Sequence, residues 1–185
     1  MRFLTRSASC RSGIGLLAAL LWSCASLAAI SESEVKLALS YNLARFVEWP
    51  DEPDGDTVEF CVLGDDPFGS DLAQLSQRQL HSRPIVARSL SDTSADLLTC
   101  RILFVADVPS AEEEALIAAV REHPVLLISD KPGFAQRGGL IELQTRNNRI
   151  SFAVNLDAQQ LSGLSISSQL LELATLVDDK EPDDD

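Results

Sequence analysis

The run Arg101-Ile-Leu-Phe-Val-Ala106 decides the fold that this sequence predicts. An unbroken apolar run of this length is typical of a strand that is buried on both faces, which occurs where helices cover a parallel sheet. Similar runs predict strands at Thr57–Leu63 and Val125–Ser129. Between the strands Arg101–Ala106 and Val125–Ser129, the segment Ala111–Arg121 predicts a helix. Glutamates lie in its first turn, where the helix dipole favours negative charge.

Toward the amino terminus the apolar spacing becomes helical. Glu34–Trp49 predicts an amphipathic helix that Pro50 ends. A short helix at Pro67–Gln77, capped by Asp66, and a strand at Pro84–Leu90 follow it. The predicted apolar face of the first helix consists of Val35, Leu39, Leu43, Phe46 and Val47.

Toward the carboxyl terminus, Leu140–Thr145 and Arg149–Asn155 flank two asparagines and predict a β-hairpin. Helical patterns at Leu156–Leu161 and Ser167–Leu176 close the chain. Alternating strands and helices predict an α/β fold with a mostly parallel, twisted sheet of about five to six strands. We expect helices on both faces of this sheet and the antiparallel hairpin at one edge.

The first residues predict an export signal. Three arginines precede the apolar run Ile14–Trp22, which is shorter than the about 20 residues that a permanent membrane helix needs. Small residues then predict cleavage after Ala28, with Ala29 as an alternative. A second alternative is a lipoprotein signal, in which Cys24 would be acylated. The expected localisation is the periplasm.

Removal of residues 1–28 leaves one domain, at 29–177, and an acidic tail, at 178–185, that we expect to be disordered. The first 28 residues hold three of the 15 basic residues and none of the 28 acidic ones, so the remaining chain has a formal net charge of −16. Such a charge argues against nucleic acid or anionic lipid as a partner, because both require a basic surface.

Two cysteines remain after export, Cys61 and Cys100. Each lies beside an apolar strand-like run, and an oxidising compartment favours one disulfide bond between them. The alternative is a pair of separate buried thiols. Closing a loop of roughly 40 residues stabilises a fold by about 3 to 4 kcal/mol in the chain-entropy model.

Acidic residues follow the predicted strands at the sheet edge where open α/β folds bind ligands. Asp65 and Asp66 follow the first strand, Asp107 follows the third, and Asp130 with Lys131 follows the fourth. A phosphoacceptor site with Mg²⁺ would use such carboxylates, but that chemistry requires the serine and lysine on separate strands, and here they share one loop. Helix caps and turn residues explain the same aspartates.

Signals for catalysis are weak. The segment around Ser165 lacks the final glycine of a nucleophile elbow and does not follow a predicted strand. His81 and His123 are the only histidines, and no zinc-ligand spacing or phosphate-binding glycine motif occurs. We therefore predict that the protein is not an enzyme and needs no cofactor or metal.

Partner or ligand contacts are the remaining possibility. The loop Ser129–Phe134 contains a Pro-Gly turn that presents Phe134 to a partner or folds it onto the core, and Arg137 lies just downstream. The residues that we single out as binding candidates are Asp65, Asp66, Phe68, Asp130, Lys131, Phe134 and Arg137.

Several segments together resemble the YfiR family of periplasmic proteins. Each is weakly specific, but they occur in the family's order and span Val35 to about Val177. The segments are Leu39–Pro50, Phe60–Gly69, Cys100–Val105, Leu127–Phe134, Gly138–Leu143 and Gly163–Ser168.

This resemblance implies a dimeric repressor that binds the periplasmic sensory region of an inner-membrane diguanylate cyclase and so lowers cyclic di-GMP and biofilm formation. An outer-membrane lipoprotein or a redox change would release the repression. Cys61 and Cys100 match a cysteine pair of the family, whereas a second bridge of some members has no counterpart here. A periplasmic small-ligand-binding module is the alternative function, and fold alone does not name the partner.

Overall fold

A computed structural model describes residues 31–50, 56–91, 97–147 and 149–179. The predicted signal, including Cys24, and residues 180–185 lie outside the described residues. Five α-helices occur in the described part, at Glu32–Ala44 (α1), Ser70–Leu75 (α2), Ser110–Val120 (α3), Leu156–Ser162 (α4) and Ser168–Leu171 (α5). None of them is long and apolar enough to cross a membrane.

Eight strands form the main sheet: Val58–Leu63 (β2), Gln79–Leu80 (β3), Arg83–Leu90 (β4), Ile102–Val105 (β5), Leu126–Ser129 (β6), Ile141–Arg146 (β7), Arg149–Asn155 (β8) and Thr175–Val177 (β10). Their order across the sheet is β10-β8-β7-β6-β5-β2-β4-β3. A separate antiparallel pair joins Val47–Glu48 (β1) to Ser165–Ile166 (β9).

The centre of the sheet is parallel, as its apolar runs predict. β2 pairs with β4 on one side and with β5 on the other, and β6 continues on the far side of β5, all in parallel. Every residue of β5 and β6 is buried, as expected of central strands. The predicted α/β class is confirmed.

The two edges of the sheet differ from the prediction. Six strands are where the sequence places them, but β3 extends one edge by an antiparallel pairing with β4. β10 extends the other edge, where it runs parallel to β8. The β7–β8 hairpin therefore lies one strand inside the edge that we expected it to form.

The predicted final helix, Ser167–Leu176, is confirmed only in its first part. α5 ends at Leu171, and Thr175–Val177 enters the sheet instead. The backbone of β8 offers hydrogen-bond partners that a short isolated helix lacks, and the β-branched Thr175 and Val177 suit a strand. Tertiary pairing outweighs the helical spacing here.

The first helix also ends earlier than predicted, because Val47–Glu48 turns into β1. Its buried face consists of Leu37, Ser40, Leu43 and Ala44, whereas Val35 and Phe46 are exposed at 39% and 43%. Asp66 does not cap α2 either. It accepts the backbone N–H of Phe68 at 2.8 Å in a turn, and α2 begins only at Ser70.

Cys61 and Cys100 form a disulfide bond, and their Cα atoms are 5.8 Å apart. Cys61 lies on β2, and Cys100 lies two residues before the neighbouring β5. Both residues are fully buried. The bond therefore joins two central strands inside the core, and the alternative of separate thiols is excluded.

We predict that replacing both cysteines by alanine (C61A/C100A) lowers the free energy of unfolding by about 3 to 4 kcal/mol, because the unfolded chain regains the entropy of the open loop. Chemical denaturation at equilibrium measures this. A reducing agent should destabilise the wild type by a similar amount and leave the double variant unchanged. Equal stability of wild type and variant would contradict the prediction.

Candidate functional site

A cleft opens at the carboxyl ends of β2, β4 and β5. It encloses about 580 Å³ and is bordered by the first turn of α3. The connection from β2 leads to β4 on one side, whereas β5 lies on the other, so the cleft is at the point where the strand order reverses. Open α/β sheets bind ligands at this position.

The cleft is acidic and polar. Its lining includes three acidic residues, Asp65, Asp107 and Glu112, and Ser89 of β4. A backbone bridge joins Asp65 to Asp107 and ties the ends of β2 and β5 together. Among the described residues, no group of three or more acidic, histidine or cysteine side chains is arranged to hold a metal ion.

Asp66 and Phe68 serve the structure of this region. One carboxylate oxygen of Asp66 accepts the Phe68 N–H, and the other accepts the Ser89 hydroxyl at 2.8 Å. Phe68 is buried and packs edge-on against Phe104, with ring centroids 4.8 Å apart. Of the candidate residues after β2, only Asp65 has an exposed side chain.

The loop 130–139 is held down by a buried carboxylate that the sequence analysis missed. Glu113, on α3, is almost completely buried and binds two cations of the loop. Arg137 donates to its Oε1 from Nη2 at 2.6 Å and from Nε at 2.8 Å. The Lys131 ammonium lies 2.8 Å from its Oε2 and donates to the Val108 carbonyl oxygen at 2.6 Å.

The charged groups of Lys131 and Arg137 are therefore engaged in ion pairs inside the protein. A buried carboxylate requires compensating charge and hydrogen bonds, and these two side chains supply both. The sequence showed Glu113 only as one of three glutamates in the first turn of a helix. Burial of one of the three is decided by the loop that packs over α3, so no local pattern could identify it.

Phe134 folds back onto the core and is fully buried. Its ring lies so close to Gly139 that a Cβ atom at that position would overlap it. Of the two alternatives for this residue, the structure shows the core position. Phe134 shapes the loop and does not present an anchor at the surface.

Asp130 joins this loop to the first helix. Its carboxylate accepts a hydrogen bond from the Lys36 ammonium at 2.7 Å, and Lys36 also contacts Glu32 at 2.7 Å. Burial by itself lowers the pKa of Lys36, but the hydrogen bonds to Asp130 and Glu32 outweigh it, and this pKa is raised. Hydrogen bonds from Lys36 and Thr145 lower the pKa of the exposed Glu32.

A second buried polar residue, Asn155, fixes the loop 130–139 at Ala135. The Asn155 amide donates to the Ala135 carbonyl at 2.6 Å and to Asp179 at 2.7 Å, while its oxygen caps α4 through the Ala158 N–H. Asp179 also binds Arg121 at 2.7 Å. Asp179, which the sequence analysis placed in the acidic tail, thus contacts the domain.

We predict that Glu113→Gln lowers the free energy of unfolding by about 2 to 4 kcal/mol, because Lys131 and Arg137 then face a neutral group in a largely buried position. Thermal or chemical denaturation measures the loss. Glu114→Gln, one residue along the same helix and exposed, is the matched control and should change stability by less than about 0.5 kcal/mol. Equal effects of the two substitutions would refute the role of Glu113.

Comparison with known families agrees with this architecture. A family model described as YfiR/HmsC-like matches residues 33–175, which include every helix from α1 to α5 in whole or nearly so and both central cysteines. The family is one of periplasmic regulatory proteins. Because the match spans most of the chain, this protein belongs to the YfiR/HmsC-like family.

Proposed function

We propose that this protein acts in the periplasm as a binding protein that represses an inner-membrane diguanylate cyclase through the cyclase's periplasmic sensory region. Membership of a periplasmic regulator family, over residues 33–175, is the observation that carries the proposal. On this proposal residues 1–28 direct export and are removed. A homodimer and an outer-membrane lipoprotein partner that releases the repression belong to the same proposal, and acylation at Cys24 is the alternative to removal of residues 1–28.

The structure supports a role in binding through the state of its charged groups. Lys131 and Arg137 are both ion-paired with Glu113, and Asp130 is ion-paired with Lys36. Groups that are paired in this way hold a surface in one shape. A rigid surface loses little conformational freedom when a partner binds, and that favours specific recognition.

The buried disulfide supports the proposed location. Cys61 and Cys100 are bonded in the core, and such bonds persist in oxidising compartments such as the periplasm. A covalent link between two central strands also suits a small domain that works outside the cytoplasm, where refolding assistance by ATP-driven chaperones is absent. The bond therefore accords with export.

We predict that deletion of the gene raises cellular cyclic di-GMP in a strain that expresses an active cyclase partner, because the cyclase loses its repressor. Quantification of cyclic di-GMP in cell extracts measures this. Complementation with the full chain should restore the low level, whereas a version that starts at Ala29 behind a new initiator methionine should stay in the cytoplasm and fail to restore it. Unchanged cyclic di-GMP after deletion would refute the proposal.

A second candidate function is binding of a small ligand in the cleft at the ends of β2, β4 and β5. The cleft volume of about 580 Å³ and its position where the strand order reverses favour this function. Asp65, Asp107 and Glu112 would select cationic or hydroxyl-bearing molecules, since carboxylates accept hydrogen bonds and bind positive charge.

We predict for this second function that a cationic ligand raises the thermal midpoint of the mature protein. A ligand at about 100 times its dissociation constant stabilises a protein by about 2.7 kcal/mol. A thermal-shift screen of amines and amino sugars tests this, with D65N/D107N as the variant that should lose the response. A response that both proteins share would place the ligand elsewhere.

A further inference from the structure

One edge of the main sheet is only partly covered. β8 has seven residues, but β10 pairs with only its last three, Ala153 to Asn155. The first part of β8, from Arg149 to Ser151, has β7 on its inner side and no paired strand on its outer side among the described residues. This stretch is the open edge of β8.

The backbone of Ile150 faces outward at this edge. The Asn155 N–H donates to Leu140 on the β7 side, and the direction of the backbone groups alternates along an antiparallel pair. Ile150 is an odd number of residues from Asn155, so its N–H and C=O point away from β7. In the described part of the chain, neither group has a hydrogen-bond partner.

Two arginines lie beside the open edge. Arg146 and Arg149 are directly opposite each other at the end of the hairpin, and both are exposed. Like charges that face each other across two strands destabilise a hairpin. No carboxylate of the described chain lies within ion-pair distance of either guanidinium, whereas Lys36, Arg88, Arg121, Lys131 and Arg137 are all paired.

An apolar side chain lies toward the same end. Leu173, which is 75% exposed, precedes β10 by two residues. β10 runs parallel to β8, so its beginning is directed toward the uncovered residues of β8. Exposed apolar side chains beside a strand edge mark sites where a further strand is added.

We propose that the open edge of β8 receives an extended acidic segment of the regulated partner. The segment pairs with the backbone of Ile150, packs an apolar side chain near Leu173, and places carboxylates against Arg146 and Arg149. Only the identity of the partner rests on the proposed function. Because the rest of the protein is strongly acidic, this positive end orients an acidic partner as well as holding it.

Anionic lipid fits the same arginines less well. Clusters that recognise lipid headgroups use about four to eight basic residues, and only two are present here. Arginine binds a carboxylate through two parallel hydrogen bonds, and a strand edge adds main-chain hydrogen bonds that a lipid cannot supply.

The first test uses the mature protein and a blocked ten-residue peptide of alternating glutamate and valine. We expect it to bind about tenfold or more tightly than the matching lysine–valine peptide and to slow hydrogen exchange of the Ile150 amide. R146E/R149E should reverse the preference between the peptides, whereas the matched control R45E/R78E should preserve it. Vesicles with anionic lipid serve as the competing ligand, and binding to them in preference to the peptide would overturn the proposal.

Two substitutions at one position separate main-chain pairing from side-chain contact. Ile150→Pro and Ile150→Ala both remove the isoleucine side chain, but only proline removes the outward N–H. We expect Ile150→Pro to abolish peptide binding and Ile150→Ala to retain it within about threefold, with similar circular dichroism spectra for both. Equal binding by the two variants, or unchanged exchange of the Ile150 amide in the complex, would overturn the proposal.

A cellular test separates this inference from the proposed function. If deletion raises cyclic di-GMP, the R146E/R149E strain should show the same increase at unchanged protein level. Repression that persists in that strain would overturn the inference and leave the proposed function intact. If deletion has no effect, the proposed function fails, and the peptide measurements still decide the role of the edge.

Discussion

Burial of the central strands on both faces is the constraint on which the rest of the structure depends. β5 and β6 expose no residue, and β2 exposes only Glu59 in part. Backbone groups at such depth must pair within the sheet, so these strands have no freedom in register. The cleft, the loop 130–139 and the open edge of β8 all lie at the ends and edges of the sheet.

The loop after β6 illustrates how a connection at a buried edge is stabilised. It covers apolar residues of α3 and must neutralise Glu113, which it does with Lys131 and Arg137. Phe134 and Gly139 fit against each other, and Asn155 binds the loop backbone at Ala135. The loop 130–139, which the sequence suggested as a binding loop, thus has its main side chains packed against the core or paired with Glu113.

The two ends of the sheet differ in how their edges are covered. At the β4 edge, the backbone N–H of Ala87 donates to the Ser76 hydroxyl, and the Ile85 N–H donates to the Arg78 carbonyl. Residues of the chain itself therefore occupy that edge. At the β8 edge, β10 covers only three residues, and the adjoining arginines carry uncompensated charge. This contrast leaves the first part of β8 as a stretch that no described strand covers on its outer side.

The sequence by itself determined the α/β class and six of the eight strands of the main sheet, and it favoured a bond between Cys61 and Cys100 over two separate thiols. Apolar runs and turn residues are local signals, and a buried parallel strand carries a strong one. The resemblance to the family could also be recognised from the sequence, because it rests on the order of short motifs and not on contacts between them. Asp65 and Asp107, which follow predicted strands, do lie together at the carboxyl ends of β2 and β5.

Only the tertiary structure decided which of those candidates are accessible and how the sheet ends. Lys131, Arg137, Phe68 and Phe134 look like surface groups in sequence, yet ion pairs and core contacts occupy them. β10 replaced a predicted helix because β8 offered it backbone partners 20 or so residues away in the chain. Burial, ion pairing and strand addition depend on residues distant in sequence, and for that physical reason no local pattern contains them.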